Sequence, residues 1–203
     1  PGTISAQGAK GAVSADGSED PGRVQINKAF MGFMTHTGFA HGGNGYEGMA
    51  FLIDQFKNTG LADPGQRDHQ LNLKDMATEY ALFYKKYKSE QKVLGNTAYE
   101  KIPGVNHPVF KGKSVNFDPR EDYIREFYEK QGFYNLFLDY YHELVQALYK
   151  TGVSANVYCV NVDALIAVSL LKIFWSEFMS DQLKAHELET AAFTLFLYAR
   201  MIG

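Results

Sequence analysis

Three residues that could carry acid–base chemistry lie at interruptions of the helical pattern: His41, His107 and Asp163. His41 precedes two glycines, which allow backbone to approach a ligand closely. His107 ends a loop stiffened by prolines. Asp163 begins an apolar helical segment, where partial burial would raise its pKa and suit it to act as a base. Each also has a plain structural interpretation: a helix–helix turn, a polar loop and an ordinary acidic residue in a first helical turn.

A group of cations follows His107 in the stretch "VFKGKSVNFDPRED". Asp118 and the proline after it predict a helix N-terminus, with Asp118 as the N-cap. The helix dipole disfavours a cation in that first turn, so the position of Arg120 requires an explanation. A multiply anionic ligand that gathers Lys111, Lys113 and Arg120 is one explanation. A solvated loop is the other.

The remaining candidates are Arg200 and Cys159. Arg200 lies in the apolar helical stretch "TLFLYARMIG", and a buried arginine needs a carboxylate partner from the protein or from a substrate. Cys159 is the single cysteine of the chain and lies among apolar residues, which predicts a small hydrophobic residue. We find no Cys or His spacing typical of a metal site and no Walker phosphate loop, so we predict no metal.

Composition limits the classes of function. The chain has 203 residues, 45% of them hydrophobic and 21% charged, which is typical of a globular protein. A net charge of −3 argues against nucleic acid as the main partner. The sequence contains no apolar run long enough to cross a membrane. A single cysteine fits a reducing compartment, and we predict a cytoplasmic protein.

Helical periodicity dominates from residue 23 onward and predicts an all-α protein. We expect helices at about 23–38, 162–179 and 181–202, and several amphipathic helices between them. The segment 156–160, "NVYCV", is the best candidate for a strand. The change from apolar to amphipathic helices predicts two substructures, with a middle part at about 42–155 inserted between two parts of the other.

Four stretches, in this order, resemble the later part of the citrate synthase superfamily: "FAHGGNGYEG", "IPGVNHPVFKGKSVNFDPR", "VNVDALIAV" and "FLYARMIG". The third stretch and the Gly/Ala/Ser-rich opening are most similar to the citryl-CoA lyase module at the carboxyl end of ATP-citrate lyases. The resemblance covers nearly the whole chain. It implies a citrate synthase-like fold, mainly the small domain with fragments of the large helical domain. The small domain would span 41–160, and the large-domain segments would be 1–40 and 161–203.

The resemblance also implies catalytic roles for three residues. His41 would donate a hydrogen bond to the thioester oxygen and stabilise the enol or enolate. His107 would bind and polarise the oxaloacetate carbonyl or the matching hydroxyl of citrate. Asp163 would take the proton from the methyl group of acetyl-CoA.

Binding roles follow from the same resemblance. Arg120 and Arg200 would hold substrate carboxylates. Lys111 would contact the phosphates of coenzyme A, and the backbone at Gly104 and Val105 would cradle its adenine end. The expected partners are therefore an acyl-CoA and a dicarboxylate or tricarboxylate, bound by a homodimer or a larger homo-oligomer.

The expected activity is CoA-dependent synthesis or cleavage of a carbon–carbon bond, in either direction. The resemblance predicts that the chain alone is inactive, because it would hold only fragments of the large domain. Two other functions stay open. One is a non-catalytic CoA-binding or regulatory module. The other is a helical interaction domain, which would place His107 and Asp163 far apart.

Overall fold

The computed structural model describes residues 7–11, 26–36 and 44–202, with the side chains at 44, 196 and 199–202 outside this description. Regular secondary structure in these ranges is helical, which confirms the predicted all-α class. The helices in chain order are α1 (7–11), α2 (Ile26–Met34), α3 (Asn44–Phe56), α4 (Leu73–Val93), α5 (Pro119–Lys130), α6 (Leu136–Lys150), α7 (Val162–Ile173), α8 (Trp175–Met179) and α9 (Ala185–Ile202).

Short polar side chains begin several of these helices by accepting hydrogen bonds from free backbone N–H groups. Asn72 caps α4, Asp118 caps α5, Asn135 caps α6 and Asn161 caps α7. The predicted cap at Asp118 is therefore confirmed, and Asn161 is found to cap α7. They fix where α5 and α7 start, and these two starts contribute to the candidate site.

Helix α6 lies at the centre of the core. It packs against α4 and α7, and α3 packs against α7 and α9. The ring of Phe56 in α3 meets the rings of Phe137 and Tyr140 in α6 edge-on, with centroids 5.0 Å apart in both pairs. Phe137 in turn meets Trp175, at 5.3 Å between centroids. This packing holds the end of α3, the start of α6 and the start of α8 together.

Two predicted helix bounds and one predicted strand are wrong. The helix expected at 162–179 is broken at Phe174 into α7 and α8, because Trp175 turns into the core and its indole N–H donates to the Leu61 carbonyl at 2.9 Å. The last helix begins at Ala185, not at 181, because Asp181 has a φ of +63°, which an α-helix does not accommodate. The segment 156–160 makes isolated bridges, Val157 to Val115 and Val160 to Val105, in place of a strand.

None of the helices in the described part of the chain is long and apolar enough to cross a membrane. The division into domains at 40 and 160 stays a prediction.

Candidate active site

The loop that carries His107 is hydrogen-bonded to the residues immediately before Asp163. The Asn106 N–H donates to the Cys159 carbonyl at 2.7 Å, and the Asn161 N–H donates to the Gly104 carbonyl at 2.9 Å. The Asn161 side chain joins the two segments, because its Nδ2 donates to the Asn106 carbonyl at 3.1 Å. Two segments more than 50 residues apart in sequence are thereby held side by side.

The same asparagine begins α7. Its Oδ1 accepts from the backbone N–H groups of Asp163 and Ala164 at 3.0 and 3.1 Å. The side chain of Asn161 is buried, so these bonds are shielded from competing water. Asn161 therefore sets the position of Asp163 relative to the loop.

The loop turns sharply through two residues with positive φ, Gly104 at +78° and Asn106 at +67°. Glycine and asparagine are the residues that adopt this region most readily. Space is also restricted at Gly104, because an added Cβ would lie 2.6 Å from the Tyr141 hydroxyl oxygen and 2.8 Å from the Ala164 Cβ. The loop backbone thus approaches α6 and α7 as closely as only glycine allows.

His107 is held in a defined orientation. The Asn106 Oδ1 accepts from its backbone N–H at 2.9 Å, and its ring stacks on Phe110 with centroids 4.8 Å apart. The Val109 N–H donates to the ring Nδ1 at 3.2 Å. Because Nδ1 acts as the acceptor, the neutral ring carries its proton on Nε2. His107 can therefore donate a hydrogen bond from Nε2 to a carbonyl or hydroxyl oxygen.

Arg120 forms a two-pronged ion pair with Asp118. The Arg120 Nε donates to Asp118 Oδ1 at 2.9 Å and Nη2 donates to Oδ2 at 2.6 Å. Its guanidinium also lies over the Phe110 ring, 5.5 Å from the centroid. Burial raises the pKa of Asp118, but the hydrogen bonds from Arg120 and the nearby charges of Arg120 and His107 outweigh it and hold this pKa below its usual value. Asp118 is therefore a carboxylate at neutral pH.

Asp163 lies within electrostatic reach of Arg120. The pKa of Arg120 is raised first by its hydrogen bond to Asp118 and further by the charges of Asp118 and Asp163. The side chain of Asp163 is half-buried at the start of α7. A half-buried carboxylate is of the chemical class that can act as a general base towards a bound molecule.

Two cavities flank the loop. One, of about 300 Å³, is lined by residues that include Phe110, Lys111 and Lys113, and both lysines are exposed. The other, of about 860 Å³, extends from Pro103 along a row of aromatic side chains in α3, α4 and the loop before Pro103. Both volumes are in the range of small-molecule sites.

The predicted site residues are thus placed as follows. His107, Gly104, Val105 and Asp163 lie on the two joined segments, and Arg120 faces them from the start of α5. His41 lies outside the described residues. Arg200 lies within α9, but its side chain is also outside this description.

Sequence analysis missed the partners that hold this arrangement. Asn106, Phe110 and Tyr141 were not predicted to take part, and Asp118 was identified only as a cap. The Asp118–Arg120 ion pair could have been predicted from the sequence, since the two opposite charges are only two positions apart. Nothing in the sequence distinguishes Tyr141, because it belongs to the regular apolar pattern of α6.

Among the described residues, no group of three or more His, Cys, Asp or Glu side chains could hold a metal ion. Burial raises the pKa of Cys159 to about 11, so its thiol stays protonated at neutral pH and is a poor nucleophile. The prediction that Cys159 serves as a small hydrophobic residue is confirmed, with 2% of its surface exposed.

Comparison with known proteins identifies the fold. No family model matches the sequence, and no curated protein matches it. Among solved structures, the chain is similar to citryl-CoA lyase from Hydrogenobacter thermophilus, with a TM-score of 0.54 and 19% sequence identity. The chain has a citrate synthase-like fold. The superposition covers 95% of this chain and 62% of that one, so the chain spans less than two thirds of the lyase.

The citrate synthase-like fold and partial length predicted from the four sequence stretches are therefore confirmed. At 19% identity the similarity concerns the fold alone, and a fold does not determine an activity.

Proposed function

We propose that this chain contributes the CoA-binding loop and catalytic residues of an enzyme that makes or cleaves a carbon–carbon bond next to a CoA thioester. The reaction would interconvert acetyl-CoA and oxaloacetate with citryl-CoA or citrate. The observation that supports this most directly is the set of hydrogen bonds through Asn161. They hold the His107 loop against the start of α7, where Asp163 lies.

In the direction of synthesis, Asp163 removes a proton from the methyl group of acetyl-CoA. The α-proton of a thioester is far less acidic than a carboxylic acid, so a donor must stabilise the oxygen as negative charge develops. We assign that role to His41. The resulting enolate carbon attacks the ketone of oxaloacetate, and the Nε2–H of His107 donates to the ketone oxygen as it becomes a hydroxyl. The product is citryl-CoA, and water would release citrate and CoA from it.

In the direction of cleavage, His107 starts with its Nε2 unprotonated, and that nitrogen takes the proton of the citryl hydroxyl as the carbon–carbon bond breaks. The electron pair goes to the enolate of acetyl-CoA, which Asp163 protonates, and oxaloacetate is left. Proton donor and acceptor exchange roles, so both directions need the same two residues.

The binding roles are proposals of the same kind. We assign substrate carboxylates to Arg120 and Arg200, and CoA phosphates to Lys111, which lines the smaller cavity. The backbone of Gly104 and Val105 would receive the adenine end of CoA.

The test is an assay of the protein at its full natural length. Free thiol is followed with acetyl-CoA and oxaloacetate, and citryl-CoA cleavage is followed separately. Asp163→Asn should reduce turnover by at least about 10²-fold with little change in CoA affinity. The matched control is Asp68→Asn, an exposed aspartate in a loop remote from the site, which should keep full activity.

A non-catalytic CoA-binding module is the second candidate, and one observation favours it. Both Nε and Nη2 of Arg120 are engaged by Asp118, so less of the guanidinium is available for a substrate carboxylate. Calorimetric binding of CoA without turnover in either assay would support this candidate. Absence of both binding and turnover would refute both functions.

A further inference from the structure

The hydroxyl group of Tyr141 is buried without a hydrogen bond. Tyr141 lies in α6 with 0% of its surface exposed, and its Oη has no hydrogen-bond partner among the described residues. Its neighbour Tyr140, equally buried, donates from its Oη to the Gln55 Oε1 at 3.0 Å. A buried hydroxyl without a partner lowers stability, and phenylalanine would fill the same space without this cost.

This hydroxyl lies where the loop, α3 and α7 meet. A Cβ at Gly104 would be 2.6 Å from the Tyr141 Oη, and a Cβ at Gly48 would be 3.7 Å from it. The same Gly48 Cβ would be 4.0 Å from the backbone oxygen of Asp163. The glycines of the loop and of α3 therefore let both backbones pack directly against the hydroxyl, close to the first turn of α7.

The charge of Asp163 acts on this hydroxyl. Burial raises the pKa of Tyr141 well above its usual value, and the neighbouring Tyr140, Tyr80 and Asp163 raise it further. Tyr141 therefore remains protonated across the accessible pH range and can donate its proton in a hydrogen bond. Of the three residues that act on the Tyr141 hydroxyl, Asp163 alone is a carboxylate. The charge of Asp163 also raises the pKa of Arg120.

We propose that Tyr141 is a positioning residue for Asp163, and that its hydroxyl donates to the Asp163 carboxylate, directly or through one water, when a CoA thioester is bound against the Gly104 turn. This inference rests on the proposed function. A donor to the charged form of a carboxylate favours that form and fixes its orientation. Tyr141 would thus hold the base in one orientation, aimed at the substrate.

The test compares Tyr141→Phe with Tyr140→Phe in the protein at its full natural length. Condensation of acetyl-CoA with oxaloacetate, the direction in which Asp163 acts as the base, is measured from acidic to alkaline pH, together with thermal unfolding and CoA affinity. Tyr141→Phe should lower kcat roughly tenfold or more with little change in KM. It should also move the acidic limb of the pH profile upward by roughly one unit, because the carboxylate loses a donor.

Thermal unfolding separates this role from a structural one. Tyr141→Phe should unfold at the same or a higher temperature than the wild type, because it removes an unpaired buried hydroxyl. Tyr140→Phe should unfold at a lower temperature, because Gln55 loses its donor, and it should keep the wild-type pH profile.

Two results would overturn the inference. One is a Tyr141→Phe variant with the kcat and acidic limb of the wild type. The other is an equal effect of both variants on kcat and pH profile. A wild-type protein that neither binds CoA nor cleaves citryl-CoA would refute the proposed function itself, and this inference with it. That failure is distinguishable because it is seen without any substitution.

Discussion

At the scale of single residues, the pair Asp118 and Arg120 resolves the question raised by a cation in a first helical turn. Asp118 accepts from the backbone N–H of Arg120 at 3.0 Å, as an N-cap does, and it also accepts twice from the guanidinium. The carboxylate offsets the unfavourable interaction of the arginine with the helix dipole. The pair thereby keeps a cation facing the site without a bound ligand.

The Asp118–Arg120 pair makes the free energy of unfolding depend on pH. The folded state holds the pKa of Asp118 below its value of about 3.9 in an unfolded chain. The stabilisation is therefore complete above that value and is lost as pH falls through the lower, folded-state pKa. We expect Asp118→Asn to reduce the free energy of unfolding by about 1–3 kcal/mol at neutral pH. The deficit should shrink progressively below about pH 4.

Urea unfolding at neutral and at acidic pH checks this expectation. Asn still caps a helix well, so the loss measures mainly the charged bonds to Arg120. A deficit that stays the same at both pH values would show that the charge of Asp118 does not contribute.

The residue types of the site could be predicted from sequence, but their support could not. His107 and Asp163 lie beside prolines, glycines and asparagines, whose conformational preferences are local and visible in the sequence. The orientation of His107 depends on Phe110 and on the Val109 N–H, and that of Asp163 depends on Asn161. Tertiary packing decides these contacts, and a residue such as Asn161 looks like an ordinary cap until its other hydrogen bond is known.

At the scale of elements, the most informative difference is between a cap that serves one helix and a cap that joins two segments. Asn72 is exposed and caps α4 through the Asp75 N–H. Asn161 is buried, caps α7 through two N–H groups and also donates to the loop at Asn106. The break between α7 and α8 at Phe174 is also decided by tertiary packing. Trp175 turns into the core and interrupts a helical pattern that is continuous in the sequence.

We therefore expect Asn161→Ala and Asn72→Ala to differ. Asn72→Ala should cost about 1 kcal/mol of stability, the usual value for an exposed cap. Asn161→Ala should cost about 2–4 kcal/mol, because a buried carbonyl and two N–H groups lose their partner. CoA affinity, measured by calorimetry, should fall only in Asn161→Ala. Equal losses of stability in the two variants would contradict the role of Asn161 in joining the segments.

At the scale of the whole molecule, the single cysteine gives a direct measure of how tightly the site is closed. The carbonyl of Cys159 accepts from Asn106 in the loop, and its Sγ lies 4.0 Å from the Phe110 carbonyl. Because the side chain is 2% exposed, a reagent reaches the thiol only when the packing around it opens, and separation of the loop from the segment before α7 is one such opening. Its burial and its pKa of about 11 both oppose reaction in the closed state.

We expect a thiol reagent to modify Cys159 in the folded chain at least about 10²-fold more slowly than in the chain unfolded in urea, because little thiolate is present and access is blocked. Acetyl-CoA, which has no free thiol, should slow the reaction further by holding the loop against α7. Asn161→Ala should speed it under native conditions, whereas Asn72→Ala should not. Rapid modification of the folded wild-type chain would mean that the loop and α7 separate freely, and that the hydrogen bonds through Asn161 do not keep His107 and Asp163 together in solution.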